Sequence, residues 1–163
     1  MNWNDWDKKR KYYFYNCYGE SPNNSGKKIK TVFGEVLFLN YKFINHNSHD
    51  KDLRYLWRLK NEVELWVSSV VFEKDFIMTT LVIVPHYFTG FSRGRRSILP
   101  VICGRKTIET NDTRIVYPNS RAGNLKGNPV HEEMQESTEK IGVDFNINIV
   151  TNENYEIIEI VVG

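Results

Sequence analysis

A single alanine, Ala122, stands in 163 residues. The strongest helix former is therefore all but absent, while Val, Ile, Tyr and Phe, which suit a pleated, half-buried surface, are frequent. Asparagine occurs seventeen times, and together with frequent Lys and Ile this reflects A/T-rich codons, a property of the genome. The composition drives the chain toward strands. An apolar fraction of 40% beside 26% charged residues is that of an ordinary globular chain. The length suits one domain spanning 1–163 with a real core.

Period and punctuation divide the chain. Residues 12–18 (YYFYNCY) read as a strand. Ser-Pro-Asn-Asn-Ser-Gly at 21–26 is a turn cluster, and 29–44 is a long β-prone stretch with Gly34 as its bend. Asp50 is placed to cap a helix over about 50–61 carrying Leu53, Leu56 and Trp57 at helical spacing. A strand over about 62–72 follows, although one helix running to Phe72 fits nearly as well. Glu73-Lys74-Asp75 reads as a hairpin turn into a strand at 76–84. Short apolar pieces at 98–103 and 114–117 precede an exposed, mobile loop at 118–129. A helix over 131–140 leads to a terminal hairpin of 143–150 and 155–162. The expected fold is α+β, a β-rich single domain of antiparallel strands with one or two helices. The alternative is an all-β sandwich with a helical insert.

Charge is parcelled unevenly. Residues 85–130 carry a net +6, residues 131–163 a net −7 and the first 84 residues +3. The basic middle either meets an anionic partner or is neutralised by the acidic end. Its sharpest feature is Phe91-Ser92-Arg93-Gly94-Arg95-Arg96-Ser97, where three guanidiniums fall within four residues. Arg forks, Ser92 and Ser97 hydroxyls and a close-approaching Gly94 backbone suit phosphate oxygens, with Arg121 and Lys126 extending the patch. Tyr87, Phe88 and Phe91 stand ready to stack on bases.

Two functional classes follow, with a structural or assembly role as a third. The first is a small non-catalytic binding protein, inhibitor- or immunity-like, engaging nucleic acid, a nucleotide or an acidic protein surface. The second is a metal-independent ribonuclease with His86 and His131 as acid and base, Glu132 replacing one of them, and Tyr117 orienting or donating a proton. The binding protein is favoured because it needs only the charge contrast.

His46-Asn47-Ser48-His49-Asp50 offers part of a zinc site, but without CxxC pairs or HExxH no metal is expected. His131-Glu132-Glu133 lacks the PCxxC that a zinc deaminase requires. No Walker lysine loop and no GxGxxG after a strand is present, and no cofactor is expected. Trp57 and Trp66 are expected in the core, whereas Trp3 and Trp6 are free to cover it or to anchor a partner. The polar start, the lack of any apolar run near ~20 residues and two distant cysteines point to a cytoplasmic protein with no membrane contact.

Overall fold

Many short strands alternate with a few helices, as the β-prone composition leads one to expect. The computed structural model describes residues 13–16 and 26–163, and among these nine strands and four α-helices make an α+β fold. Trp3, Trp6 and Cys17 lie outside the described residues. The chain divides into two units, Met1–Asn47 and Ser48–Gly163.

In the first unit, β1 (Tyr13–Asn16) pairs in parallel with β2 (Lys42–Asn45), Tyr13 opposite Lys42. Parallel neighbours need a crossover connection, usually helical. Helices α1 (Gly26–Phe33) and α2 (Glu35–Asn40) lie within it. The β-prone stretch 29–44 is therefore helical for most of its length, and only its end is strand. Gly34 is a joint between helices, not a bend in a strand. Its φ of +82° suits glycine alone, its N–H donates to the Lys30 carbonyl at 2.9 Å and its carbonyl accepts from Phe38 N at 3.1 Å. The rings of Phe33 and Phe38 lie 5.0 and 6.3 Å from that of Phe43, tying both helices to β2.

The second unit opens with an antiparallel hairpin of β3 (Leu53–Arg58) and β4 (Glu64–Ser68). The expected helix over 50–61 is thus a strand, and Asp50 precedes it without capping anything helical. The register shifts between Tyr55 and Trp57. This bulge turns both Leu53 and Leu56 inward, so a strand carries apolar residues three apart, as a helix does. Trp57 is 48% exposed beneath the Lys140 ammonium, 4.1 Å from its ring, and is not core. Trp66 is half-buried with its ring edge-on to Tyr55.

The strand expected over 62–72 stops at Ser68 and becomes a 3₁₀ turn, Ser69–Glu73. No hairpin forms around Lys74, because β5 (Met78–Val82) pairs instead in parallel with β8 (Phe145–Thr151). Strand β9 (Ile157–Val162) closes the expected terminal hairpin, giving the sheet order β5-β8-β9. Two short strands, β6 (Pro85–His86) and β7 (Gly90–Phe91), make a tight antiparallel pair.

The apolar pieces at 98–103 and 114–117 are not strands. The first is a run of turns, and Thr113–Val116 is a 3₁₀ turn after α3 (Arg105–Asp112). The helix expected over 131–140 is α4 (Pro129–Ile141). Asn128 caps it by accepting from His131 N, Pro129 fills its first turn and Gly142 ends it in the left-handed region. Alternating Leu65 and Val67 of β4, Leu99 and Cys103 of the turns and Val130 and Met134 of α4 form the core. Among the described residues no helix is long and apolar enough to cross a membrane.

Candidate functional site

The basic turn 92–97 is wedged into the second unit and does not stand out from it. Its 3₁₀ segment, Gly94–Ser97, packs against β5, β8 and α4. The Ser92 hydroxyl donates to the Val82 carbonyl at 2.6 Å, and Ser97 donates to Thr80 at 3.3 Å. Both hydroxyls expected to hold phosphate are thus spent on the backbone. The Gly94 N–H donates to Asn148 Oδ1 at 2.8 Å. A Cβ on Gly94 would lie 2.7 Å from Thr79 Oγ1, so this close approach needs glycine.

The three guanidiniums have separate fates. Arg95 is buried and donates to the carbonyls of Thr89 and Phe91 at 3.1 and 2.8 Å. Burial, with the charges of Arg93 and Arg96, lowers it to about 10, so it stays charged at neutral pH. Arg96 is half-buried and lowered mainly by burial, with Tyr87 and Asp112 acting in its favour. Arg93 alone is exposed.

Two imidazoles flank the turn. His86 is stacked on Tyr87 and edge-on to Phe88, and its Nδ1 accepts from Thr89 N at 3.4 Å. Burial and then the charges of Arg96 and Arg95 lower its pKa. His131, 8% exposed, is pushed down to about 4 by burial and by Arg95 and Arg93. Both rings are neutral at pH 7, and both sense Arg95. Asp112, at the end of α3, is raised by burial.

A cleft of about 360 Å³ opens beside the turn, lined by Thr79, Arg93, Gly94 and Arg95, by His131 of α4 and by Asn148 of β8. Thr79 Oγ1, Arg95 Nε and His131 Nδ1 are buried without hydrogen-bond partners. Each such atom forfeits about 1–3 kcal/mol of hydration with nothing in return. Arg96 Nε, which does not line the cleft, is in the same condition.

The remaining sequence candidates are scattered. Tyr117 is half-exposed, and Arg121 and Lys126 lie exposed on the loop 118–129. None of the three lines the cleft. Glu132 is exposed and accepts from Gly127 N at 2.9 Å, a helix-entry contact. Tyr87 is 71% exposed, whereas Phe88 packs against the core and Phe91 is half-buried. The expected mobile loop is fastened to β7 and its neighbours, by Gly123 N to the Gly90 carbonyl and by Asn128 Nδ2 to the Phe88 carbonyl. Thr79, Asn146 and Asn148 were not singled out from sequence. The available signal was Asn146-Ile147-Asn148-Ile149, a strand whose polar alternation marks one face as built for hydrogen bonds.

A model of the lactate racemase N-terminal domain matches residues 19–123. The lactate racemase of Thermoanaerobacterium thermosaccharolyticum is 31% identical over 140 residues, 84% of this chain and 33% of that protein. The lactate racemase of Lactiplantibacillus plantarum is 31% identical over 135 residues, 81% of this chain and 32% of that protein. The structure of the Thermoanaerobacterium apoprotein superposes with a TM-score of 0.82 at 31% identity, over 86% of this chain and 34% of that one. A Thermotoga maritima protein shares the fold with a TM-score of 0.73 at 22% identity, over 93% of this chain and 41% of that one. The chain spans about a third of the length of the lactate racemases it matches.

These relatives overturn the functional readings drawn from charge. They are named for an enzyme, which removes the non-catalytic binder engaging nucleic acid, a nucleotide or an acidic protein, and the structural role with it. That enzyme is a racemase, which removes the ribonuclease built on His86, His131, Glu132 and Tyr117. Charges count only with their partners: Ser92 and Ser97 donate to carbonyls of β5, and Arg95 donates to carbonyls of the β6–β7 hairpin. With the domain model covering most of its length, the chain belongs to the lactate racemase N-terminal domain family.

Proposed function

We propose that this chain works in a racemase that interconverts the enantiomers of lactate or a similarly short 2-hydroxy carboxylate. Inverting C2 requires the substrate to be held by its carboxylate while the C2–H bond is broken on one face and remade on the other. A guanidinium matches a carboxylate in charge and in fork geometry, and Arg93 is the exposed member of the turn. A neutral imidazole is a group that accepts a proton from a substrate and gives it back, which a guanidinium does not do at neutral pH. His86 is held in that form beside Arg95 and Arg96.

One observation carries the reading. Within the family-matched segment, a neutral imidazole on β6 lies under the charges of Arg96 and Arg95, in the same turn as the exposed Arg93, so a proton acceptor and a carboxylate clamp are close in the chain. Two cysteines in 163 residues suit a reducing compartment, and we place the protein in the cytoplasm.

The test is racemisation itself. Protein purified from its native host, keeping whatever it binds there, is incubated with L-lactate and sampled by chiral chromatography. D-lactate accumulates toward an equal mixture, and His86→Gln slows its appearance by about 10²-fold or more. Wild-type protein that leaves L-lactate unchanged defeats the proposal.

A further inference from the structure

The sheet β5-β8-β9 has its polar face covered and its apolar face open. Residues paired across strands share a face, so Met78 lies with Phe145, Val82 with Ile149 and Ile160, and Thr80 with Ile147 and Val162. Thr80 alone is polar. None of them is buried, and Ile160, Val162 and Met78 are 60%, 59% and 53% exposed. The other face carries Thr79 and Asn148, both buried against the Gly94 turn. A sheet with one wetted face ordinarily turns its apolar residues inward and its polar ones to water. Here that order is reversed, and a contiguous apolar surface of this kind marks a place where another surface packs.

Three observations say what packs there. Strands β5 and β8 run parallel, and parallel neighbours ordinarily carry a layer of chain on both faces. The chain spans 33% and 32% of the two lactate racemases it matches, so most of such an enzyme lies outside it. Charge disfavours a second copy of the chain. Residues 141–163 hold Asp144, Glu153, Glu156 and Glu159, all exposed, and no Lys or Arg. Two copies stacked through this sheet bring those carboxylates together, whereas a partner with cations around an apolar centre complements them.

Resting on the racemase reading, we propose that the open face of β5-β8-β9 docks the part of a lactate racemase polypeptide that this chain does not span. That part presents apolar side chains ringed by lysines or arginines. The cleft is lined by Thr79 and Asn148 of the opposite face, so docking here leaves Arg93 uncovered.

The tagged chain is expressed in its native host, treated with a carbodiimide, which joins a carboxylate to an amine it touches, and purified. Mass spectrometry identifies the lysines joined to Glu153, Glu156 or Glu159. Those lysines belong to racemase sequence outside the third that the chain matches. Ile160→Asp and Met78→Asp, on the two edge strands, each lower the yield of these links by at least about tenfold. Either variant that keeps the wild-type circular dichroism decides the point. Links confined to lysines of these 163 residues, in one copy or two, overturn the proposal. So do links to an unrelated protein, no links at all, or an unchanged yield in a folded variant. Racemase sequence joined here in a preparation that leaves L-lactate unchanged defeats the racemase reading and keeps the docking surface. Racemisation by protein with nothing joined at this face removes the docking surface and leaves that reading intact.

Discussion

Arg114 Nε donates to Glu133 Oε1 at 3.1 Å, on a carboxylate that is 1% exposed. The same carboxylate accepts from Asn111 Nδ2 at 2.7 Å and from Asn61 Nδ2 at 2.9 Å, and Arg114 also donates to the Asn61 carbonyl. One buried acid thus ties the β3–β4 turn, α3 and α4 together. It also shows how the basic and acidic segments meet: one arginine of the middle is locked onto a glutamate of the end. Arg93, Arg95 and Arg96 have no such ion pair among the described residues and surround the cleft and the His86 ring instead.

Removing Glu133 leaves the buried Asn111 amide without its carboxylate acceptor and takes the ion-pair partner from the part-exposed Arg114. Glu133→Ala is expected to cost about 2 kcal/mol, since a buried amide loses its acceptor and the Arg114 charge its partner. Glu133→Gln, which keeps an acceptor, is expected to cost less. Urea denaturation of the two variants at pH 7 checks the order, and equal stability of Glu133→Ala and wild type refutes it.

Of the described glycines, Gly90 is the one where a Cβ would come nearest another atom. Its φ is +81°, and a Cβ there would lie 2.3 Å from the Asn124 carbonyl oxygen. Gly90→Ala therefore strains the backbone and pushes the loop 118–129 off β7, with an expected loss of about 2 kcal/mol or more. Thermal unfolding measures the loss, and faster amide exchange at Gly123, whose N–H bonds the Gly90 carbonyl at 2.9 Å, localises it.

His131 makes stability depend on pH in a known direction. Its pKa falls from 6.5 to about 4 on folding, so between those values the unfolded chain binds the extra proton. Its contribution is fully present above pH 6.5, declines as the pH falls toward about 4 and is flat below that. His131→Phe removes this component of the slope. Denaturation midpoints at pH 7.5, 6, 5 and 4, roughly bracketing that window, compare the two proteins. Identical slopes count against the assignment.

Where local pattern and final environment agree, elements were legible in the sequence. The terminal hairpin and α4 were found within a few residues, because alternation in 145–151 and 157–162 and the Asn128-Pro129 entry are local signals. β3 was misread because its bulge gave Leu53 and Leu56 helical spacing. The stretch 29–44 was misread because β-propensity yielded to the crossover that parallel β1 and β2 require. At the site, His86, His131 and the arginine turn could be named from sequence. Thr79 and Asn148 could not, since they matter only through neighbours distant in the chain.

The sequence by itself determined a β-rich α+β chain with its cations massed in the middle, because composition, period and charge are properties of neighbouring residues. Tertiary structure alone decided which cations face the cleft. The parallel pairing of β5 with β8 sets Thr79 and Asn148 beside Gly94, turns Arg95 inward onto carbonyls and leaves Arg93 at the cleft. A guanidinium is spent or available according to the carbonyls around it, and those come from strands and turns that no local window contains.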